Sequence, residues 1–425
     1  MPHKADVIIL GAGIVGCSIA YALSKRGHNT LNVDALPAAG YGSTSHSSAV
    51  IRPIYSHITS CAVAHESRFI WKEWEKFIDA EDERGYAKYT ECGGLVLVKD
   101  DDFGPYQASL DAMSAVGVSF DILDETHLRK YYPGIALDSF GPPKRLGDKD
   151  FGEVTKGSIT SAILVPAAGY VSDPQLASHN LQIAAEKRGG EFVFNQKVVK
   201  IEYANGEVKG VCLQNGERID ANIVVNATGP HSKGINQLAG IDLKINTQAV
   251  KHEVVYLESP TSHFSKTEKF IVDFDAGIYT RPDGKDILIG SADPECDAID
   301  TVDPDNYDPG FTEQWTVQAY RTAQRFPDLG ISNTARGTVG IYDVSEDWIP
   351  IYDQSELSGF YVAMGTSGNQ FKNAPLIGEI MAQIIEQEGK NGGHDTNPAE
   401  LYLPHIDKRV SLAFFSRNRE LQSTS

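Results

Sequence analysis

Residues 6–10 read Asp-Val-Ile-Ile-Leu, an apolar run bounded by an acid and a glycine, which predicts a strand buried on both faces. The period then changes: Ile14–Arg26 carries apolar side chains at 15, 19, 20 and 23 and predicts a helix, and Thr30–Val33 predicts a second short strand. The order is βαβ. Further on, Phe69, Trp71, Trp74, Phe77 and Ile78 fall near helical spacing, so Arg68–Ile78 is expected to form one helix with a packed aromatic face. Leu95–Val98 reads as a strand. Residues 101–152 are rich in Asp, Gly, Pro and Tyr and are expected to be excursion loops with little regular structure.

A second α/β run begins near residue 170. Ser172 or Asp173 with Pro174 marks a helix start, Leu176–Lys187 the helix, Gly189-Gly190 its end, and Glu191–Phe194 a strand. Strands joined by Asn-Gly turns at 205–206 and 215–216 follow. Between Val250 and Ala292 the period is mostly two, which predicts a more antiparallel sheet, and Asp308–Phe326 predicts a helix. The last periodic unit, from Gly359, is strand, glycine-rich loop, helix. Glycine-rich strand-to-helix joints at both ends of the chain suggest that the two ends converge on one site. No internal repeat is evident, and the residues beyond Asp407 read as a peripheral tail.

Length and composition narrow the class. The 425 residues exceed an ordinary domain, and 41% apolar with 22% charged residues describes a globular chain rather than a disordered one. The net charge of −19 is spread along the chain, which argues against nucleic acid or an anionic membrane surface as partner. The cysteines (Cys17, Cys61, Cys92, Cys212, Cys296) contain no CxxC pair, so neither a disulfide framework nor a metal site is expected, and a reducing, cytoplasmic setting is the easier reading. The apolar stretch Val7–Leu23 is short for a membrane span, and its abutting Asp6 and weakly basic lead-in argue against an export signal.

The glycines in that stretch have another use. Gly11, Gly13 and Gly16 form G-x-G-x-x-G directly after a strand and at a helix opening, and Asp34 ends the next strand. Gly11 permits a tight turn, Gly13 lets backbone approach a pyrophosphate, Gly16 lets helix and strand close, and Asp34 can bind ribose hydroxyls. The plainer alternative is a merely tight βα turn. The motif does not choose between FAD and NAD. Three later features lean to FAD: the donor-rich run Gly40–Ser48, the strand Asn222–Pro230 ending in Ala-Thr-Gly, and the lack of a second G-x-G-x-x-G.

Together with "GSTSHSSAVIR", "NATGPHS", "GIYTRPDGKDILIG", "TVGIYDVSEDWIPIYD" and "GTSGNQFKNAP", these residues make the chain resemble the D-amino-acid oxidase superfamily. Within it, the branch of sarcosine oxidase, dimethylglycine oxidase and dehydrogenase, and glycine oxidase is the most similar. The resemblance runs over roughly residues 5–390. It implies an α/β fold like that of para-hydroxybenzoate hydroxylase, with a Rossmann-like, discontinuous FAD-binding domain and a substrate domain built on a mainly antiparallel sheet. The expected boundaries are 1–60, 150–245 and 335–390 for FAD, 61–149 and 246–334 for substrate, and 391–425 for a C-terminal extension.

The resemblance also implies a cofactor set: Gly11, Gly13, Ile14, Val15, Gly16, Asp34 and Ala35; Gly42, Ser43, Thr44, Ser45, His46 and Ser47; Val198; Ala227, Thr228 and Gly229; Gly340 and Ile341; and Gly365, Thr366, Gly368, Asn369, Gln370, Phe371 and Lys372. It assigns the substrate carboxylate to Arg52 and Lys372, a task that suits arginine's two-pronged donor geometry. A structural ion pair for Arg52 and a solvated side chain for Lys372 are the alternatives. His252 and Tyr279 resemble the pair that faces the substrate in dimethylglycine oxidase and are the catalytic candidates, against ordinary sheet residues.

His46 resembles the histidine joined to the flavin 8α carbon in the dimethylglycine enzymes, although Ser47–Ile51 are closer to sarcosine oxidase. Covalent attachment, noncovalent contact and an unrelated loop histidine remain open. The expected reaction is FAD-dependent oxidation of the C–N bond of a small amino acid or N-methyl amino acid, giving an imine that hydrolyses. A D-amino-acid dehydrogenase or oxidase is the alternative, and a non-catalytic flavin-binding subunit is one of another class. Leu288 stands where monomeric sarcosine oxidase places an oxygen-activating lysine, so oxygen or another electron acceptor remains open.

Overall fold

The computed structural model describes residues 3–259, 269–388 and 393–422. Of the expected C-terminal extension, residues 391, 392 and 423–425 lie outside the described residues.

The apolar runs at the two ends pair with each other. A six-stranded sheet is ordered Glu191–Val193, Thr30–Val33, Val7–Leu10, Ile223–Asn226, Phe360–Met364, Ile351–Gln354, with only the last strand antiparallel to its neighbour. Val7–Leu10 and Thr30–Val33 are buried at every position, as strands covered on both faces require. The helix Ile14–Lys25 packs against Pro174–Glu186 and Ala374–Gln387. Gly378 makes the second contact possible: a Cβ there would lie 2.1 Å from the Ser18 carbonyl oxygen. Asp173 caps its helix by accepting from the Leu176 N–H at 2.8 Å, with Pro174 in the first turn.

An eight-stranded sheet is ordered Gly337–Ser345, Thr247–Glu258, Asp286–Ser291, Ile278–Asp283, Phe270–Asp273, Gly94–Lys99, Ile159–Val165, Asp121–Asp124. Every pair is antiparallel except Phe270–Asp273 with Gly94–Lys99. Two segments assigned above to the FAD-binding part, Ile159–Val165 and Gly337–Ser345, are strands of this sheet. Periodicity gives a strand's faces and not its neighbours. A smaller sheet contains Val198–Ala204, Glu207–Leu213 and Arg218–Asp220, joined at the two Asn-Gly turns.

Four expectations change. The aromatic helix is two helices, Ile58–Lys72 and Trp74–Ile78, broken at Glu73, although Trp71 and Trp74 stack at 4.1 Å inside the core as expected. The helix expected from Asp308 starts at Glu313, where Thr312 accepts from the Gln314 N–H. Residues 101–152 are not bare loops: they contain the helices Gln107–Ala115 and Glu125–Tyr131 and the strand Asp121–Asp124. These elements are short and mostly exposed, with few apolar anchors such as Met113 and Leu128, so little periodicity marks them.

The tail is not peripheral. Leu412, Phe415 and Arg417 are buried, and Arg417 pairs with Asp353 and Asp395 at 3.1 and 2.7 Å. Its polarity is that of buried ion pairs, which composition reads as solvated.

Candidate active site

The first βα joint is built by close backbone approach. A Cβ on Gly11 would lie 2.4 Å from the Ala227 carbonyl oxygen, and one on Gly16 would lie 2.1 Å from the Gly11 carbonyl oxygen. Gly11 has φ +100, a conformation open to glycine. The helix it feeds has no side-chain cap from Gly13 and no acid in its first turn. Its Ile14 N–H donates to the buried Thr44 Oγ1 at 3.1 Å, which ties the "GSTSH" segment to the helix start. An N-terminus so arranged favours an anionic group such as a pyrophosphate.

Asp34 lies at the end of the neighbouring strand and accepts from the Ala12 and Leu36 N–H groups at 2.6 and 2.8 Å. Burial raises its pKa, and those two N–H groups oppose the rise. Ala35 is exposed beside it, Val15 is partly buried, and Val198 is buried at the start of its strand. Thr228 donates its hydroxyl to Asn226 Oδ1 at 2.7 Å, and Gly229 turns the chain with φ +57.

The residues 42–47 cross from this joint to the antiparallel sheet. Ser43 donates to the Ile341 carbonyl oxygen at 2.7 Å, Ser45 donates to the Gly42 carbonyl at 2.8 Å, and Ser47 accepts from the Ala49 N–H. The His46 ring contacts Thr338 Oγ1 through Nδ1, and its Cβ lies 2.7 Å from where a Cβ on Gly340 would stand. Burial lowers the His46 pKa.

Gly340 is the cross-strand partner of His252. The His252 ring stacks on Tyr342 at 3.9 Å, its Nδ1 lies 3.8 Å from Asp293, and its Nε2 is buried without a hydrogen-bond partner among the described residues. Burial pushes its pKa down to about 4, so the ring is neutral at physiological pH. Tyr279 shares a hydrogen bond with Ser48 Oγ at 2.6 Å, and its ring fills the space over Gly290. Burial raises its pKa.

The loop 365–372 meets both groups. A Cβ on Gly368 would enter the Tyr342 ring, and Asp343 accepts from the Gly365 N–H at 2.5 Å. Lys372 is 3% exposed, which removes the solvated alternative. It donates to Tyr55 OH at 2.6 Å and to the Asn369 carbonyl. Arg52 lies over the same Tyr55 ring at 4.9 Å and donates to the Ile54 carbonyl at 2.5 Å. No acid pairs with it among the described residues. Burial, then the charge of Arg52, lowers the Lys372 pKa well below the usual lysine value. Arg52 and Lys372, gathered without a carboxylate of their own among the described residues, can receive one from a ligand, whose negative charge favours the protonated Lys372. Gln370, Phe371 and Asn369 line the same turn, with Thr366 partly buried at its start.

Sequence reasoning missed Tyr55, Tyr342 and Thr338, and it placed Ser48 only within the donor-rich run, not against Tyr279. Tyr55 stands three residues after Arg52 and Tyr342 one after Ile341, but neither spacing is a signal alone. The glycine cradle, the open helix start and Asp34 fit the two phosphates and ribose of a dinucleotide.

The family model described as DAO, FAD dependent oxidoreductase, matches residues 6–384. The chain belongs to this family of FAD-dependent oxidoreductases. It is 24% identical over 397 residues to monomeric sarcosine oxidase of Bacillus sp. (strain B-0618), covering 90% of this chain and 93% of the relative. It is 23% identical over 380 residues to mitochondrial sarcosine dehydrogenase of Homo sapiens, covering 86% of this chain and 38% of that longer protein. Among solved structures it is similar to L-proline dehydrogenase from P. horikoshii, with a TM-score of 0.76, 24% identity and 98% of each chain covered. Glycine oxidase from Geobacillus kaustophilus gives a TM-score of 0.73 at 20% identity, covering 99% of this chain and 100% of the other. These likenesses support the DAO fold, with its mixed FAD-binding sheet and antiparallel sheet. No described helix is long and apolar enough to cross a membrane.

Proposed function

We propose that this DAO-family enzyme oxidises the C–N bond of a small amino acid or N-methyl amino acid to an imine, which water then hydrolyses. The observation that carries the reading is the convergence of Arg52 and Lys372 on Tyr55, two basic side chains with no carboxylate partner among the described residues, Lys372 standing on the loop whose Gly368 abuts the Tyr342 ring stacked on His252. Bound FAD supplies the two-electron acceptor for the C–H bond. Arg52 and Lys372 hold the substrate carboxylate, and that fixes which C–H bond faces the cofactor. His252 stays neutral, so its Nε2, without a partner among the described residues, can accept a hydrogen bond from the amine and orient it. Tyr279 orients the same group through its Ser48-anchored hydroxyl.

The names of the relatives, a sarcosine oxidase, a sarcosine dehydrogenase and a glycine oxidase, support small or N-methylated substrates, and a proline dehydrogenase widens the set to cyclic secondary amines. The discontinuous FAD-binding and substrate parts are proposed with it, with Ile159–Val165 and Gly337–Ser345 in the antiparallel sheet, as are Val198 at the adenine and residues 42–47 at the pyrophosphate. Noncovalent or covalent contact of His46 with the flavin ring is decided by acid precipitation, since only a bonded flavin stays in the pellet.

Anaerobic flavin bleaching against sarcosine, dimethylglycine, proline and D- and L-amino acids tests the reaction, and bleaching by none of them would overturn it. With the best substrate, Arg52→Ala should raise KM on the order of 10–100-fold, the loss of a charge-assisted bidentate pair. An unchanged KM would remove Arg52 from the anchor.

A further inference from the structure

The C-terminal tail, which composition marks as peripheral, reaches the candidate site through a chain of partly buried hydrogen bonds. Arg419 grips Asp347 with two bonds, Nε to Oδ2 at 2.9 Å and Nη2 to Oδ1 at 2.8 Å. The same guanidinium donates to the Ile349 carbonyl at 2.7 Å and the Pro350 carbonyl at 3.2 Å. Both side chains are buried, at 4% and 1% exposure. The grip therefore closes around the turn 347–350.

That turn is strained and carries a contact to the site. Trp348 has φ +60, which for a tryptophan persists only where the surroundings impose it. Its carbonyl accepts from Asn369 Nδ2 at 3.2 Å. The Asn369 carbonyl in turn accepts from Lys372 Nζ and, at 3.3 Å, from Tyr55 OH. Asp347 also accepts from the Ile349 N–H, and burial, which raises its pKa, is outweighed by Arg419, which lowers it.

We propose that Arg419 is a positioning residue for the substrate end of the site, holding the Trp348 carbonyl so that Asn369 fixes the Lys372 ammonium and the Tyr55 hydroxyl. This rests on the reading of Lys372 as part of the carboxylate anchor. Arg419 touches neither cofactor nor substrate. It acts through the turn it closes.

The test uses the full-length FAD-loaded enzyme and two readouts: amide hydrogen exchange over residues 366–373, and binding of acetate as a carboxylate probe, followed by flavin absorbance. In Arg419→Met, exchange in 366–373 should quicken by about tenfold or more while the strand Val7–Leu10 is unchanged. Acetate affinity should fall on the order of 3–10-fold, with Asp347→Asn alike and Arg419→Lys in between. Unchanged exchange in 366–373 would overturn the proposal, whatever the loss of overall stability, and would leave the tail a brace. Faster exchange with unchanged acetate affinity would uphold the grip and remove Lys372 from the anchor. Arg419→Lys, which keeps a cation against Asp347 but not the two-pronged grip, serves if the methionine variant does not fold.

Discussion

At the scale of single residues, two buried titratable groups set opposite pH dependences. His252 has its pKa pushed down to about 4 by burial, so the unfolded chain binds more protons than the folded one from about pH 4 to pH 6.5. Its contribution is complete above pH 6.5 and is lost as pH falls towards 4. Relative to His252→Gln, the wild type should lose urea resistance between pH 7 and pH 5; a constant difference would show a histidine that protonates freely in the fold. Asp343 runs the other way. Burial pushes its pKa up to about 7, against the opposing Gly365 N–H, so its stability is present at low pH and lost as pH rises through 7. Asp343→Asn should therefore gain on the wild type between pH 5 and pH 8 in the same measurement. The motif residues around these groups were legible because glycines and a charged residue at fixed intervals have few other uses. Tyr55, Tyr342 and Thr338 were not, since a tyrosine or threonine in a half-apolar run carries no sign of the side it faces.

At the scale of elements, the helix pair Ile14–Lys25 and Ala374–Gln387 depends on close backbone contact. Ser18 Oγ donates to the Ala374 carbonyl at 2.5 Å and accepts from the Gly378 N–H at 2.9 Å, leaving no room for a Cβ at residue 378. Gly378→Ala should cost about 1–3 kcal/mol by overpacking, read from the denaturation midpoint. Gly234, in the helix Ser232–Leu238 with nothing within 4 Å, gives the contrast: Gly234→Ala should gain roughly 0.4–1 kcal/mol. A midpoint lowered equally by both would refute the steric account. The long helices were legible because their periods run for ten residues or more, and the short buried strands because continuous apolar runs stand between glycine, acid or turn signals. The elements within 101–152 were not, since four to nine residues with one or two buried side chains leave a period too short to separate from loop composition.

At the scale of the whole molecule, the tail is joined to the core by charge. Asp353 is fully buried and accepts from the Arg417 N–H and Ser416 hydroxyl at 2.8 Å, and from the Arg417 guanidinium. Arg417→Met would leave that carboxylate short of its cation, a loss of about 3–5 kcal/mol for a broken buried pair. A denaturation midpoint within error of wild type would show the tail to be dispensable. The meeting of the two chain ends was legible from the glycine-rich joints at Gly11–Gly16 and Gly365–Gly368. The membership of each strand in one sheet or the other was not, since pairing is a property of partners distant in sequence.

The strand order of the six-stranded sheet also fixes an order of events in time. Val7–Leu10 is separated from its neighbour Ile223–Asn226 by more than two hundred residues, and from Phe360–Met364 by more than three hundred. During synthesis the Ile223–Asn226 edge of Val7–Leu10 therefore stays unpaired until that distant strand has been made. The sheet that carries the Gly11–Gly16 joint can close only after Phe360–Met364 has been made, so the two glycine-rich joints meet late relative to the helix and strand that follow the first of them.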